Sequence, residues 1–526
     1  MSARSQAHSA GRAADTEAPG QMTTHSGHRG LQMEEPLIFE MGSTGRTGVD
    51  LPPVPQVASK LGGLARQGDI GLPALSEPQV VRHYVRVSQK NYAIDAGLYP
   101  LGSCTMKHNP RLNEKVARLP GFSDVHPLQP QSTVQGALEV IDTVAHWLAT
   151  LTGLPGVAMS PAAGAHGELT GMMAIRAAHE ARGEARKRIL VPDSAHGTNP
   201  ATAVLCGYTV DPVPSLPNGR IDLEALKAKL DDDVAAIMLT NPNTCGLFEN
   251  QIIEVAEAIH AVGAYFYCDG ANFNAIVGKV RPGDLGIDVM HLNLHKTFST
   301  PHGGGGPGSG PVVMSAELTP FAPLPYVVKG PEGLRLVETE ADQAAAGDGG
   351  RAYGRMRSFH GQMGMFVRAL AYMMSHGADG LRLVAEDSVL NANYVLARLK
   401  DVMTPAYPGP CMHEVLFDDS FLKDTGVTTL DFAKAMIDEG FHPMTVYFPL
   451  IVHGAMLTEP TESESKESMD VFIDTLRGLA ADAKTGDAAR FTGAPYLAPR
   501  RRLDETQAAR KPRLRWTPEA PAEAAE

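Results

Sequence analysis

The sequence has no paired-cysteine pattern, no long apolar run and no cluster of basic residues. Its five cysteines include no CxxC pair, so we expect no metal site, and unpaired cysteines favour a reducing compartment such as the cytoplasm. No stretch approaches the roughly 20 apolar residues that a membrane-spanning helix needs. The formal net charge is −13, and with no tract rich in Lys and Arg a nucleic-acid-binding surface is not expected.

The chain of 526 residues has 43% hydrophobic and 20% charged residues, which is typical of a globular protein with more than one domain. Residues 1–32 are polar, lack the apolar core of a secretory signal and are interpreted as a disordered extension. The rest is predicted to divide into a wrapping segment with an active-site loop, a large cofactor-binding domain, a connecting segment, a small C-terminal domain and a tail, at 33–130, 131–330, 331–380, 381–500 and 501–526.

Apolar strands alternate with amphipathic helices through the large domain. Short apolar runs at 188–192, 235–240 and 265–268 are separated by segments of helical periodicity. This alternation predicts an α/β fold with a mostly parallel central sheet, followed by a smaller C-terminal α/β domain. A helix is predicted from about Ser132, with Gln135 completing a capping box.

Polar side chains follow several predicted strands at the point where each strand ends. These residues are Asp193, Asn241, Asp269 and Lys296. Ligands bind at the carboxyl ends of the strands in parallel sheets. We therefore expect one shared site at this edge.

Lys296 and Asp269 together have the chemistry of a pyridoxal-phosphate site. Lys296 ends an apolar stretch, where an amine loses its charge readily and can form the Schiff base with the cofactor. A carboxylate at Asp269 would keep the pyridine nitrogen protonated, so that the ring accepts electrons. Solvated lysines and helix-capping aspartates are the ordinary alternatives, and the strand-end pairing favours the cofactor.

Three other segments have both a functional and a plain interpretation. The turn Gly164-Ala165-His166 either presents backbone N–H groups to a phosphate or only begins a helix. His196 either stacks on the cofactor ring or is structural. Cys104, beside Lys107 and His108 in sequence, either has a lowered pKa or is a small buried residue.

The glycines at 303, 305 and 308 match the spacing of a dinucleotide fingerprint. The proline at 307 and the strand-like residues 311–314 that follow do not begin a helix. A dinucleotide-binding motif has to open a helix. A nicotinamide site is therefore rejected.

Several longer motifs stand in order along the chain: LGSCTMK (101–107), AGAHGE (163–168), DSAHGTNPA (193–201), DGAN (269–272), RPGD (281–284), HLNLHKT (291–297) and PHGGGGPG (301–308). Together they resemble the glycine dehydrogenase (decarboxylating) family, the P-protein of the glycine cleavage system. The resemblance is strongest to the separate second subunit of bacteria with a split enzyme. It extends from about Met33 to Arg502.

The resemblance implies the pyridoxal-phosphate-dependent transferase fold type I, with Lys296 as the Schiff-base lysine. More loosely, it implies that Asp269 pairs with the ring nitrogen and that His196 stacks on the ring. The other implied cofactor contacts are with the phosphate, by Gly164, Ala165, His166 and His295, and with the phenolic oxygen, by Asn243 or Asn272.

The implied reaction is decarboxylation of glycine with transfer of the aminomethyl group to the lipoyl arm of the H-protein. Single-chain family members contain an additional homologous half, so a partner, subunit 1, is implied in a two-plus-two heterotetramer. We expect the loops 103–108 and 302–310 to line the channel for the lipoyl arm, and Arg355 or Arg357 to clamp the glycine carboxylate. The alternatives are another pyridoxal-phosphate decarboxylase or desulfurase, and a non-catalytic scaffold subunit.

Overall fold

The computed structural model describes residues 35–42, 46–49, 51–53, 55–68, 70–303 and 308–517. The predicted extension at 1–32 lies outside these residues. The chain forms two compact units. Among the described residues, one unit comprises those up to 93, 437–440 and those from 489 to 517, and the other comprises those within 94–436 and 441–488.

The regular elements are as follows. The strands are β1 (Gly156–Ala158), β2 (Arg188–Pro192), β3 (Thr209–Val213), β4 (Val234–Thr240), β5 (Tyr265–Asp269), β6 (Val289–His291), β7 (Val312–Met314), β8 (Tyr326–Gly330), β9 (Gly333–Val337), β10 (Thr404–Pro405), β11 (Val415–Asp418), β12 (Thr445–Val446) and β13 (Met456–Thr458). The α-helices are α1 (Glu77–Gln89), α2 (Arg111–Ala117), α3 (Pro120–Ser123), α4 (Gln135–Thr152), α5 (Gly164–Ala181), α6 (Thr198–Leu205), α7 (Leu223–Lys227), α8 (Ile252–Ala261), α9 (Glu340–Ala346), α10 (Met363–Leu399), α11 (Thr429–Asp438), α12 (Lys466–Ala483), α13 (Ala488–Thr492) and α14 (Glu505–Arg510). Short 3₁₀ helices lie at Ile38–Glu40, Gly62–Leu64, Gln131–Thr133, Gly270–Ala275, Pro282–Leu285, Thr319–Phe321 and Asp419–Leu422.

The central sheet has the strand order β1-β7-β6-β5-β4-β2-β3. The pairs β2–β3, β2–β4, β4–β5 and β5–β6 are parallel. Strand β7 is antiparallel to both of its neighbours. The predicted mostly parallel α/β sheet is therefore confirmed.

Both faces of this sheet are covered, which explains the continuous apolar run of β4. Val234, Ile237 and Leu239 point into one core, and Ala236 and Met238 point into the core on the opposite face. Helices α4, α8 and α10 supply side chains to the first core and α5 to the second. A strand buried on both faces has no polar alternation.

A smaller region follows the central sheet, as predicted. Strands β10, β11, β13 and β12 form an antiparallel sheet in that order. Helix α10 spans the predicted boundary at residue 380. Shortly before that boundary, Gly377 has a non-helical φ of 62°. The division into sequence segments remains a prediction.

The predicted capping box at Ser132 is wrong. Helix α4 begins at Gln135, and Ser132 lies in the preceding 3₁₀ helix. The Gln135 amide instead donates to the carbonyl oxygens of Gln131 and Leu334 and accepts from the N–H of Leu334. Gln135 therefore bonds to β9, which is distant in sequence, and does not form the predicted capping box with Ser132.

The unit that contains the N-terminal described residues has its own contacts. Arg86 of α1 pairs with Glu35 at 2.5 Å, and Phe39 stacks on Trp516 with ring centroids 5.3 Å apart. Across the described residues, no helix is long and apolar enough to cross a membrane.

Glycine at 171 allows α5 to pack closely on the central sheet. A Cβ at that position would lie 3.0 Å from the Tyr267 ring and 3.1 Å from Val289. Tyr267 belongs to β5 and Val289 to β6. The close approach fixes the position of the N-terminal end of α5 relative to these two strands.

Replacing Gly171 with alanine should lower the free energy of unfolding by about 1–3 kcal/mol, because the added methyl group overpacks the core. Gly478→Ala in α12 is the matched control, since no described neighbour approaches its added Cβ within 4 Å. That change should leave stability unaltered or raise it by up to about 1 kcal/mol. Urea unfolding of the three proteins checks this, and equal midpoints would contradict the packing argument.

Candidate active site

A cavity of about 170 Å³ opens where β4, β5 and β6 end. Thr240, Asp269 and His291, the last residues of these strands, all line it. Of the residues predicted for the site, the cavity brings together Gly164, Ala165, His196, Asp269, His295 and Lys296. The strand-end residues Asp193 and Asn241 do not line this cavity.

Lys296 is buried, with 9% of its surface exposed. Strand β6 ends at His291, so Lys296 follows in a turn and not at the strand end itself. Its Nζ donates a hydrogen bond to the carbonyl oxygen of Ser103 at 2.9 Å. The lysine head group is thereby held at the cavity wall.

Asp269 is also buried and has two functions in the structure. Its Oδ1 accepts the Ala271 N–H at 2.9 Å, so it caps the 3₁₀ helix Gly270–Ala275. The ring Nε2 of His291 lies 3.5 Å from the same oxygen. The capping alternative and the place in the cavity are therefore compatible.

Helix α5 begins at the cavity with Gly164 and Ala165. A Cβ at Gly164 would lie 2.7 Å from Asn293 Nδ2, so the backbone there has no room for a side chain. The neighbouring His166 is outside the cavity lining. Its Nδ1 accepts the N–H of Ala162 at 3.1 Å.

The histidines at the cavity differ in their surroundings. His196 is exposed, with its ring 5.6 Å from that of Phe448 and its Nδ1 2.8 Å from Thr198 Oγ1. Burial, followed by the charge of His302, lowers the pKa of His295 to about 3. The His295 ring is therefore neutral at pH 7.

The two predicted asparagines do not line the cavity. The Asn243 amide donates to Gly219 O and Glu249 Oε1, and its oxygen accepts from two backbone N–H groups. Asn272 Nδ2 donates to Pro242 O at 3.0 Å. A role toward the phenolic oxygen stays a prediction for both, without support from this geometry.

Sequence reasoning assigned no role to several residues that line the cavity. These are Glu168, Thr198, Thr240, Thr244, Ala271, His291 and Asn293, whereas Ser103, which also lines the cavity, belongs to a predicted channel loop. All of them except Thr240 and Thr244 lie in motifs that were recognised, namely AGAHGE, DSAHGTNPA, DGAN and HLNLHKT. Their place in those motifs was the available signal.

The segment from Ser103 to Lys107 is held by three glutamates, of which Glu414 and Glu459 are buried. Ser103 N–H donates to Glu414 Oε2 at 2.6 Å, and Thr105 Oγ1 donates to Glu459 Oε1 at 2.6 Å. Lys107 Nζ donates to Glu462 Oε1 at 2.7 Å. Alternate residues of the segment are thus each bound by one glutamate from the C-terminal part of the chain.

Burial raises the pKa of Glu459 to about 7 and that of Glu414 well above its usual range, with the charge of Glu459 as the next cause for Glu414. Side-chain atoms of His413, Glu414 and Glu459 that could act as metal ligands lie within 4.8 Å of one another. We interpret the two glutamates as anchors of the segment, since each already accepts one of its hydrogen bonds.

The possibility of a lowered pKa for Cys104 is not supported. Burial raises the pKa of this thiol, although the charge of Lys296 opposes the shift. Lys107, the expected source of positive charge, is engaged with Glu462. Cys104 Sγ instead lies 3.6 Å from His302 Nε2.

The two predicted channel loops are described to different extents. Ser103 lines the cavity. Residues 304–307 of the second loop lie outside the described residues. The lining of a lipoyl channel by these loops remains a prediction.

Replacing Lys107 with methionine should lower the free energy of unfolding by about 3–5 kcal/mol, because it leaves the largely buried Glu462 without an opposite charge. The Lys107 side chain is 1% exposed and that of Glu462 11%. Arg111→Met is the matched control, since the Arg111 and Asp95 side chains are 68% and 46% exposed. Its cost should not exceed about 1 kcal/mol. Urea unfolding measures both, and equal effects would contradict the anchoring role.

Comparison with known proteins agrees with this geometry. A model for the C-terminal domain of glycine dehydrogenase matches residues 384–492, and one for class-V aminotransferases matches residues 168–306. Among solved structures, a glycine decarboxylase (P-protein) of the glycine cleavage system in inhibitor-bound form has a TM-score of 0.66 and 22% identity, covering 79% of this chain and 92% of its own. A glutamate decarboxylase from Lactobacillus brevis has a TM-score of 0.60 and 15% identity, covering 83% and 96%. The predicted fold type I is thereby confirmed.

Full-length relatives are much more similar in sequence. The probable glycine dehydrogenase (decarboxylating) subunit 2 of Caulobacter vibrioides is 69% identical over 97% of both chains. The protein of the same name from Kosmotoga olearia is 51% identical over 91% of this chain and 99% of its own. The chain therefore belongs to the family of glycine dehydrogenase (decarboxylating) subunit 2.

Proposed function

We propose that this subunit decarboxylates glycine with pyridoxal phosphate bound in the cavity, releases CO₂ and passes the aminomethyl group to the lipoyl arm of the H-protein. One observation carries the proposal: the Lys296 amine and the Asp269 carboxylate line the same cavity at the N-terminal end of α5. The name shared by the full-length relatives supports the same reaction.

The donor groups of the cavity fit pyridoxal phosphate. The N–H groups of Gly164 and Ala165 belong to the first turn of α5, where backbone donors have no intrahelical acceptor and attract a phosphate. The missing side chain at Gly164 keeps this approach open. Thr240 Oγ1 and His295 Nδ1, which belong to residues of the lining, are buried and have no partner among the described residues.

Each residue then has a role that follows from its chemistry. The Lys296 amine binds the carbonyl carbon of the cofactor, Asp269 holds a proton at the ring nitrogen and His196 packs against the ring face. When bound, the cofactor accepts the electron pair that remains when the glycine carboxylate leaves. The hydrogen bond from Ala271 holds the Asp269 carboxylate in place.

Arg357 is the better of the two candidates for the glycine carboxylate. Its Nη1 is buried without a partner among the described residues. The pKa of His166 is lowered first by burial and second by the charge of Arg357, so Arg357 lies near the start of α5. Arg355 is exposed and donates to Glu338.

Assembly with subunit 1 in a two-plus-two heterotetramer is part of the proposal, as is a cytoplasmic location. The relatives' designation as subunit 2 supports a partner. Large apolar side chains near the start of the described chain are largely exposed, namely Leu51, Val57, Leu64, Ile70 and Leu72. We take these side chains as candidates for the surface that subunit 1 covers. The five free cysteines suit a reducing compartment.

Exchange of labelled CO₂ into the glycine carboxyl group tests the reaction. The chain is supplied with pyridoxal phosphate and lipoylated H-protein, with and without subunit 1. We expect exchange when subunit 1 is present and none with Lys296→Ala, because the amine that binds the cofactor is lost. Light scattering of the same mixtures measures the assembly.

The other outcomes identify the alternatives. Decarboxylation without the lipoyl carrier would favour another decarboxylase of this fold. Absence of cofactor absorbance in the chain would favour a scaffold subunit. Bound cofactor without exchange in either mixture would reject glycine as the substrate.

Asp269→Asn should lower kcat by about 100-fold or more, since it keeps the shape of the side chain and removes the charge opposite the ring nitrogen. Asp193→Asn is the matched control, because Asp193 also follows a strand but is exposed and bonded to Ser215. Steady-state kinetics with glycine compares them. Unchanged turnover in Asp269→Asn would refute the role of this carboxylate.

A further inference from the structure

Glu168 is a buried carboxyl group in the cavity for which the roles above give no task. It is 3% exposed, and its Oε1 lies 2.7 Å from Thr198 Oγ1. Its Oε2 lies 3.2 Å from Thr202 Oγ1, and it lies 3.0 Å from Asn199 Nδ2 when the Asn199 amide is assigned in the orientation that lets its nitrogen donate to the neighbouring carboxylates. The same nitrogen lies 3.2 Å from Asp269 Oδ2. One side-chain amide therefore bridges the two acids.

The Thr198 hydroxyl connects Glu168 with His196. Thr198 Oγ1 lies 2.7 Å from Glu168 Oε1 and 2.8 Å from His196 Nδ1. A hydroxyl has one hydrogen and can donate to only one of these neighbours. If the hydroxyl donates to an ionised Glu168, then its oxygen accepts a hydrogen bond from Nδ1–H of His196. If Glu168 is protonated and donates to the hydroxyl oxygen of Thr198, then the hydroxyl donates to Nδ1 of His196.

Two observations indicate that Glu168 can hold the proton. The backbone N–H of Thr198 also donates to His196 Nδ1, at 3.2 Å, which requires Nδ1 to be an acceptor. Burial, followed by the charge of Asp269, raises the pKa of Glu168 to about 7. The titratable groups that face Glu168 from the surrounding elements are Asp269, Lys296, Tyr267, His291 and, through Thr198, His196.

We propose that Glu168 and Thr198 form a relay that delivers a proton to His196 at the mouth of the cavity. Glu168 passes its hydrogen to the Thr198 oxygen while the Thr198 hydrogen moves to Nδ1 of a His196 that already has Nε2–H. Glu168 becomes a carboxylate and His196 an imidazolium. Glu168 is a positioning residue in this scheme, since it acts through Thr198.

The reaction proposed above consumes a proton of this kind, and the purpose of the relay rests on that proposal. After CO₂ has left, the electron pair of the broken bond returns to the carbon and forms a carbon–sulfur bond to one sulfur of the carrier disulfide. The sulfur–sulfur bond breaks, and the other sulfur leaves with its electron pair. It takes the Nε2 hydrogen of His196 and becomes a thiol. Water then supplies a hydrogen to Nε2, and the Nδ1 hydrogen returns through Thr198 to Glu168, which restores the starting state.

The relay can be tested in the full chain without cofactor or substrate, by nitrogen NMR of ¹⁵N-histidine-labelled protein. The His196 signals are identified by their loss in His196→Gln. As the pH rises through about 7, the pKa of Glu168, we expect Nδ1 to change from an acceptor to a hydrogen-bearing nitrogen. Glu168→Gln and Thr198→Val should abolish this change, and Thr198→Ser should retain it.

Thr202→Val is the matched control, because Thr202 contacts the other oxygen of Glu168 and forms no hydrogen bond with His196 in the described structure. It should keep the tautomer change with at most a shifted midpoint. A change that persists in Thr198→Val, or its absence from the unaltered chain, would overturn the relay. Because no activity is needed, this result is independent of whether glycine proves to be the substrate.

Kinetics with the assembled enzyme then tests the purpose of the relay. Thr198→Val should lower kcat for aminomethyl transfer by about 100-fold and leave the KM for glycine unchanged, with Thr198→Ser restoring the rate. Glu168→Gln should remove the limb of the pH profile near pH 7. Equal rates for the valine and serine variants would show that the hydroxyl delivers no proton.

Discussion

The close packing of α5 on the central sheet is the constraint on which the site depends. Glycines at 164, 167 and 171 follow one side of this helix, and a Cβ at each would lie within 3.0 Å of a neighbouring atom. Small residues therefore bring the helix N-terminus against the ends of β5 and β6. The backbone donors of α5 and the strand-end residues that surround Lys296 meet for this reason.

Few of the buried titratable groups around the N-terminal end of α5 carry a fixed charge. The rings of His295 and His302 have pKa values lowered to about 3 and about 4, burial being the first cause in both, so they are neutral at pH 7. The carboxyl groups of Glu168 and Glu459 have raised pKa values near neutrality. The site thus combines few fixed charges with several groups able to exchange a proton. Such a setting suits chemistry in which charge moves during the reaction.

The sequence was informative where local pattern and chemistry coincide. The parallel sheet followed from apolar runs, and the proximity of Lys296 to Asp269 followed from their positions after neighbouring strands. The local sequence around Asn243 does not reveal that its amide is hydrogen-bonded to Gly219 and Glu249. The role of Gln135 was missed for the same reason, since its partner Leu334 belongs to a distant strand.

Contacts between distant parts of the chain were the main features that sequence reasoning could not supply. Ser103 and Glu414 are 311 positions apart, and Thr105 and Glu459 are 354 positions apart. No periodicity or local motif connects such residues, although each lies in a polar segment of its own. The tertiary structure was needed to show that the glutamates fasten the segment whose carbonyl oxygen holds Lys296.

These long separations have a consequence for biosynthesis. During translation the central sheet can form while the ribosome is still adding the last part of the chain, since domains fold largely in the order of their synthesis. The segment at Ser103 meets its glutamate partners only after Glu462 has left the ribosome. Until then, the segment whose carbonyl oxygen accepts from the Lys296 amine lacks its full set of glutamate contacts, even where the central sheet is complete.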